Sequence, residues 1–137
     1  MAHEIRRVSY FYTRVRDEPG EGYRLLTRLA DLGLNLLAFT AVPVGPTTTQ
    51  LTLFPDDAAR FQAEGRRAGL ELDGPHPAIL VQGDDSVGAL VEVHERLYQD
   101  GISVFSSTGL SAGGSRYGYL LYLRPEDMDR AAAALGI

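Results

Sequence analysis

The chain contains no cysteine, which excludes disulfides, thiolate metal sites and cysteine nucleophiles together. It contains no lysine either, so all 13 of its cationic side chains are arginines. A Schiff-base lysine and a phosphate loop ending in Gly-Lys are therefore ruled out. The three histidines, His3, His76 and His94, are widely spaced and form no ligand pattern such as HExxH. No stretch approaches the roughly 20 apolar residues that a membrane helix needs. The first dozen residues lack the basic segment and apolar run of a signal peptide. At a net charge of -5 there is no basic stripe for nucleic acid and no polybasic membrane anchor. The expectation is a soluble cytoplasmic protein with no nucleic-acid or membrane partner and no cofactor. Its 45% hydrophobic and 23% charged content fits a globular chain rather than a disordered one.

What is present is present twice. Adding 68 to a residue number carries Asp17, Gly20, Leu25, Leu29, Gly33, Leu34 and Leu36 onto Asp85, Gly88, Val93, Leu97, Gly101, Ile102 and Val104. After a two-residue insertion the offset becomes 70, and Leu51, Leu53, Pro55, Asp56 and Asp57 fall on Leu121, Leu123, Pro125, Glu126 and Asp127. Self-similarity at a fixed period constrains architecture more than any local motif. It divides the chain into two alike domains, 1–74 and 75–137. Domains this small bury little surface alone, so the halves are expected to share a core or a sheet.

Within each half the pattern alternates between strand and helix. Val8, Tyr10 and Tyr12 alternate with Ser9, Phe11 and Thr13 at the period of a strand. Asp17 to Gly22 stops it with turn residues. Leu25, Leu26, Leu29, Ala30 and Leu32 then mark one helical face, which Gly33 ends. Asn35–Val44 and Thr48–Phe54 are strand-like around Gly45-Pro46. Pro55, Asp56 and Asp57 suit a helix start, and a short strand is expected over Leu70–Leu72. In the second half Pro77–Gln82 is a strand and Asp84-Asp85-Ser86 starts a helix. Ile102–Thr108 and Tyr117–Leu123 form a hairpin around a Gly-rich connection, Leu110–Ser115, and Pro125 opens a last helix. A counterpart of the Leu70–Leu72 strand is missing.

The order β-α-β-β-α-(β), twice, defines an α+β fold of tandem ferredoxin-like repeats: antiparallel sheets with helices on one face, the second repeat lacking a full last strand. The strands carry bulky residues on both sides, as in Tyr10-Phe11 and Leu121-Tyr122. A solvated second face would be more polar, so this face is expected to be covered, most economically by another copy of the chain. The tyrosines at 10, 12, 117, 119 and 122 fit packing better than a nucleic-acid stacking platform, which would want basic charge around it.

Asp17-Glu18-Pro19-Gly20, followed by a helix ending Leu32-Gly33-Leu34-Asn35-Leu36, resembles the ACT domain. That family carries D-x-P-G after its first strand and a Gly-hydrophobic-Asn-hydrophobic step into its second. The resemblance covers nearly all of both halves. It is weaker in the second, where Asp85-Ser86-Val87-Gly88 lacks the proline and Ser103 stands in the asparagine's place. ACT domains are regulatory modules that bind amino acids or other small metabolites between paired domains, usually beside metabolic enzymes, and tandem ACT proteins without a catalytic domain exist. The resemblance thus implies a non-enzymatic sensor of a small molecule, an amino acid, working as a homodimer or higher oligomer, with a metabolic enzyme as a partner.

In such a protein the turn after the first strand aims unsatisfied backbone N–H groups, at the positive end of a helix dipole, toward a carboxylate. Gly20 and Gly22 would admit close approach. Asp17, Glu18 or Glu21 would accept from an ammonium, and Asn35 offers both donor and acceptor. Pro19 shapes the turn and Leu36 follows Asn35. The second half would use Asp85, Ser86, Val87, Gly88 and Ser103, and the first is expected to be the better site. Plainer alternatives stand beside each residue: D-x-P-G is also a common turn, Asn35 could serve only its local backbone, and Asp84–Ser86 could be an N-cap. Two other classes remain: an oligomerisation module without a ligand, and a glyoxalase-like or dimeric ferredoxin-like enzyme. The metalloenzyme form would need His and Glu ligands on strands, and no histidine lies in a predicted strand.

Overall fold

The same pair of backbone bonds ends the first helix of each repeat. Gly33 and Gly101 adopt left-handed backbone at φ +68 and +67, where a side chain is costly. Beyond them Leu34 N–H donates to Leu29 O and Ile102 N–H to Leu97 O, each at 2.9 Å. The computed structural model describes residues 3–137. Its elements run β1 (His3–Arg16), α1 (Glu21–Asp31), β2 (Leu36–Pro43), β3 (Thr48–Pro55), α2 (Ala58–Arg67), β4 (Asp73–Asp84), α3 (Val91–Gln99), β5 (Ser106–Gly113) and β6 (Arg116–Tyr122). A 3-10 turn, Pro125–Asp127, then leads into α4 (Met128–Leu135).

The chain forms two compact units, Ser9–His76 and residues 3–8 with Pro77–Ile137. In the first, the strand order is β2-β3-β1, antiparallel, with Phe11 opposite Leu53. In the second it is β5-β6-β4, with Ile79 opposite Leu121. Both are ferredoxin-like, so the chain is α+β with tandem repeats, as the element order implies. The second unit does have a strand in the place its sequence leaves empty. β1 neighbours β4 in the sheet, and its residues 3–8 belong to this unit, with Ile5 packed on the unit's core. Arg7 ties the same segment to Asp129 of α4 at 3.0 Å.

Each core lies between the sheet and its helices. In the first unit Phe11, Leu25, Leu29, Leu53 and Phe61 are buried together. In the second, Ile79, Val93, Leu97, Leu121 and Ala131 occupy the equivalent layer. An arginine on the second helix closes the first helix in both. Arg60 donates to Gly33 O and Leu32 O, each at 3.0 Å, and Arg130 donates to Asp100 O. These bonds satisfy C-terminal carbonyls that a helix leaves open.

Three expectations need correction. Leu70–Leu72 is not a strand; the strand starts at Asp73 and runs unbroken through Pro77–Gln82. α3 starts at Val91, after a turn at 87–90, rather than at Asp84–Ser86. β5 begins at Ser106 and continues to Gly113, so only Gly114 and Ser115 remain of the long hairpin connection. On the second sheet face Tyr10, Leu80 and Leu120 are buried, Tyr10 against Phe54 with centroids 5.1 Å apart, while Tyr12 and Tyr122 are half-buried.

Candidate functional site

Each strand-to-helix turn is pinned to a hairpin tip by the same bond. Asp17 N–H donates to Thr47 O at 2.8 Å, and Asp85 N–H donates to Ser115 O at 2.7 Å. The structure gathers Asp17, Glu18, Pro19, Gly20 and Glu21 into one exposed turn, with Gly20 as the N-cap of α1 at φ +89. Asn35 and Leu36 are not part of that constellation. They follow the far end of an 11-residue helix, about 16 Å away at 1.5 Å per residue. Asn35 O accepts from Asp56 N–H at 3.1 Å, and Leu36 packs on the core. The second half repeats this division. Asp85, Ser86, Val87 and Gly88 sit together before α3, while Ser103 lies beyond its other end, outside any strand.

The two turns differ in what lies over the glycine. Above Gly20 lies the Arg24 guanidinium, 3.1 Å from where a Cβ would stand, held by Glu21 at 3.3 Å. Arg24 escapes a motif search because it lies one helical turn beyond D-x-P-G; its spacing from Gly20 is the signal that could have found it. The corresponding residue of the second half is Glu92, which pairs with Arg96 along the helix at 2.6 Å. A Cβ at Gly88 would meet only Val91 Cγ2, at 3.6 Å.

A cleft of about 450 Å³ occupies that space, within the second unit. It is lined by Asp85 and Ser86, by Gly88 to Val91, and by Gly109 to Ser111 of β5. Tyr117 also lines it. The volume falls in the range of ligand pockets, about 300–1,000 Å³. Ser111 Oγ donates to Asp85 Oδ2 at 3.1 Å, which fixes the carboxylate. Burial pushes the Tyr117 phenol above its ordinary value, opposed by Arg116 and reinforced by Asp84 and Glu92. It therefore stays protonated at neutral pH.

His94 is an exposed residue on α3, hydrogen-bonded through Nε2 to the Tyr119 hydroxyl at 2.6 Å. Among the described residues, no three His, Asp or Glu side chains are grouped to hold a metal ion. None of the described helices is long and apolar enough to cross a membrane.

Gly22, the other glycine of the first turn, lies inside α1, and a Cβ there would meet nothing within 4 Å. Gly22→Ala should therefore stabilise the chain by about 0.5–1 kcal/mol, the helical advantage of alanine over glycine. Urea unfolding followed by circular dichroism checks this; a lower midpoint would show that something needs that space.

No protein-family model matches the chain, and no curated protein matches it in sequence. Solved structures do match its fold. A protein from Bacteroides thetaiotaomicron superimposes with a TM-score of 0.79 at 14% identity, over 96% of this chain and 88% of that one. The ligand-free regulatory subunit of aspartate kinase from Thermus thermophilus superimposes with a TM-score of 0.64 at 14% identity, over 98% and 94%. Aspartokinase alpha and beta subunits give 0.55 at 18% identity, over 98% and 95%. At these identities the likeness is one of fold. The regulatory domains of aspartate kinase are ACT-type, and the fold of this chain is the tandem ACT fold.

Proposed function

We propose that this chain is a regulatory, non-catalytic protein of the tandem ACT type, which binds a small molecule, an amino acid, at the turn between β4 and α3. The observation that carries the reading is the cleft at Asp85–Val91. It lies where the repeat puts its glycine-bearing turn, and it offers a carboxylate, hydroxyls and an apolar wall. Gly88 keeps the backbone approachable at φ +76. Neighbours named as regulatory subunits of aspartate kinase support a regulatory rather than a catalytic role. The first-half residues, Asp17 to Glu21, form a second candidate, in which Arg24 lies over Gly20.

Thermal melting of the purified protein against the common amino acids tests this. A ligand at 100 times its dissociation constant stabilises the folded state by about 2.7 kcal/mol. At least one amino acid should raise the melting temperature, and flat curves across the panel would reject the reading. One observation favours a ligand-free docking module instead. Apolar side chains lining this cleft are exposed, Val91 at 64% and Leu110 at 72%. That alternative predicts flat melting curves together with a homodimer in solution.

A further inference from the structure

The charge pattern of the cleft narrows its ligand, on the reading that it is the binding site. Of the side chains that line it, only Asp85 carries a charge. No arginine reaches the lining, although the chain has 13. Asp85 is held in place from both sides: its N–H donates to Ser115 O at 2.7 Å and its Oδ2 accepts from Ser111 at 3.1 Å. Among the described residues, no protein donor meets its Oδ1. A carboxylate so placed favours a cationic donor, because charge-assisted bonds are about twice as strong as neutral ones. The lining side chains of Ala89, Leu90, Val91 and Leu110 are hydrocarbon. An anionic group set against them would lose its water and gain no partner.

We infer that the ligand of this cleft presents an ammonium group to Asp85 on an aliphatic body that lies along Leu90, Val91 and Leu110. An amino acid with a branched aliphatic side chain has this chemistry, and so does the amine that lacks its carboxylate. Acidic amino acids do not.

Four probes and one variant test it by thermal melting: L-leucine, isopentylamine (the same body without the carboxylate), isocaproate (without the ammonium) and L-glutamate. Leucine, isopentylamine or both should raise the melting temperature, while isocaproate and glutamate leave it unchanged. Asp85→Asn keeps the acceptor for Ser111 and should melt like the parent without ligand. It should weaken the response to the stabilising probe by about tenfold or more, the loss of one charge-assisted hydrogen bond. Isocaproate or glutamate stabilising as well as leucine, or an unchanged response in Asp85→Asn, would overturn the ligand class and leave amino-acid binding standing. Isopentylamine acting where no amino acid does would overturn amino-acid binding and leave the ammonium contact standing. Silence from the whole amino-acid panel and all four probes would remove both. The isocaproate comparison needs no variant, so it stands even if Asp85→Asn folds poorly.

Discussion

Phe61→Ala should cost about 3–5 kcal/mol of stability, the usual result of truncating a buried aromatic to alanine. Against a total of about 5–15 kcal/mol for a typical domain, that is a large share. Phe61 has no exposed surface, and its ring lies 5.1 Å from that of Phe11. The site has little means of collapsing into the void. One turn further along α2, a Cβ at Gly65 would already stand 2.9 Å from Leu72 Cδ1, so the helix is seated close to the chain beneath it. Arg60 holds the start of α2 to the end of α1 through Gly33 O and Leu32 O. With both ends of the helix fixed, the removed volume stays as a cavity. Urea denaturation followed by circular dichroism would measure the loss. A midpoint within error of the parent would contradict the packing of α2.

The two cores solve the same volume problem with different residues. The pair Phe11 and Phe61 in the first unit becomes Ile79 and Ala131 in the second, all four without exposed surface. The second core recovers bulk on β6, where Tyr117 and Tyr119 are buried in positions that β3 fills with Thr49 and Leu51. Cores tolerate such exchange when total volume and patterning are kept. This explains how the two halves diverge in identity while keeping the same strand pairings and helix-end bonds.

Much of this fold was legible in the sequence, for local reasons. The helix at Leu25–Leu32 and its stop at Gly33, the strand at Tyr10–Tyr12 and the helix start at Asp56-Asp57 each follow from spacing, and Asp57 does accept from Arg60 N–H at 3.1 Å. The repeat offset expected from the sequence differs from the structure at the hairpin. It shifts to 70 before Leu51, yet the strands keep an offset of 68 throughout, pairing Phe11 with Leu53 and Ile79 with Leu121. The two-residue shift falls after β6, where Pro125 opens a 3-10 turn while Pro55 still ends β3. A slip of two residues leaves every side chain on its own face of the sheet. Alternation therefore cannot detect it. The strand that completes the second unit was hidden for another reason: it comes from residues 3–8, at the far end of the chain from α4, and period-two patterning identifies a strand without naming its neighbour. The cleft was hidden because it depends on what is absent over Gly88, where Glu92 stands in the position that Arg24 holds in the first turn, and no motif reports that.

Gly74→Ala should be nearly as damaging as the loss of Phe61, although it adds only one carbon. Gly74 sits at φ +147, a conformation that side chains disfavour. A Cβ there would lie 2.8 Å from Tyr10 O and 2.9 Å from Phe11 Cδ2. The first neighbour is backbone in the middle of β1 and cannot swing aside. The second is the ring that packs on Phe61. Backbone strain of about 1–3 kcal/mol and overpacking of about 1–3 kcal/mol together give about 2–6 kcal/mol. Gly118→Ala is the matched control, since a Cβ there meets nothing within 4 Å and its φ is ordinary. Paired urea titrations should separate the two variants by several kcal/mol. The damage should centre on the Ser9–His76 unit, because Gly74, Tyr10 and Phe11 all belong to it. If Gly74→Ala unfolds no earlier than Gly118→Ala, the start of β4 does not press against β1 as described. The seating of Tyr10 against Phe54 and His76, with ring centroids 5.1 and 5.3 Å away, would then lose its physical basis.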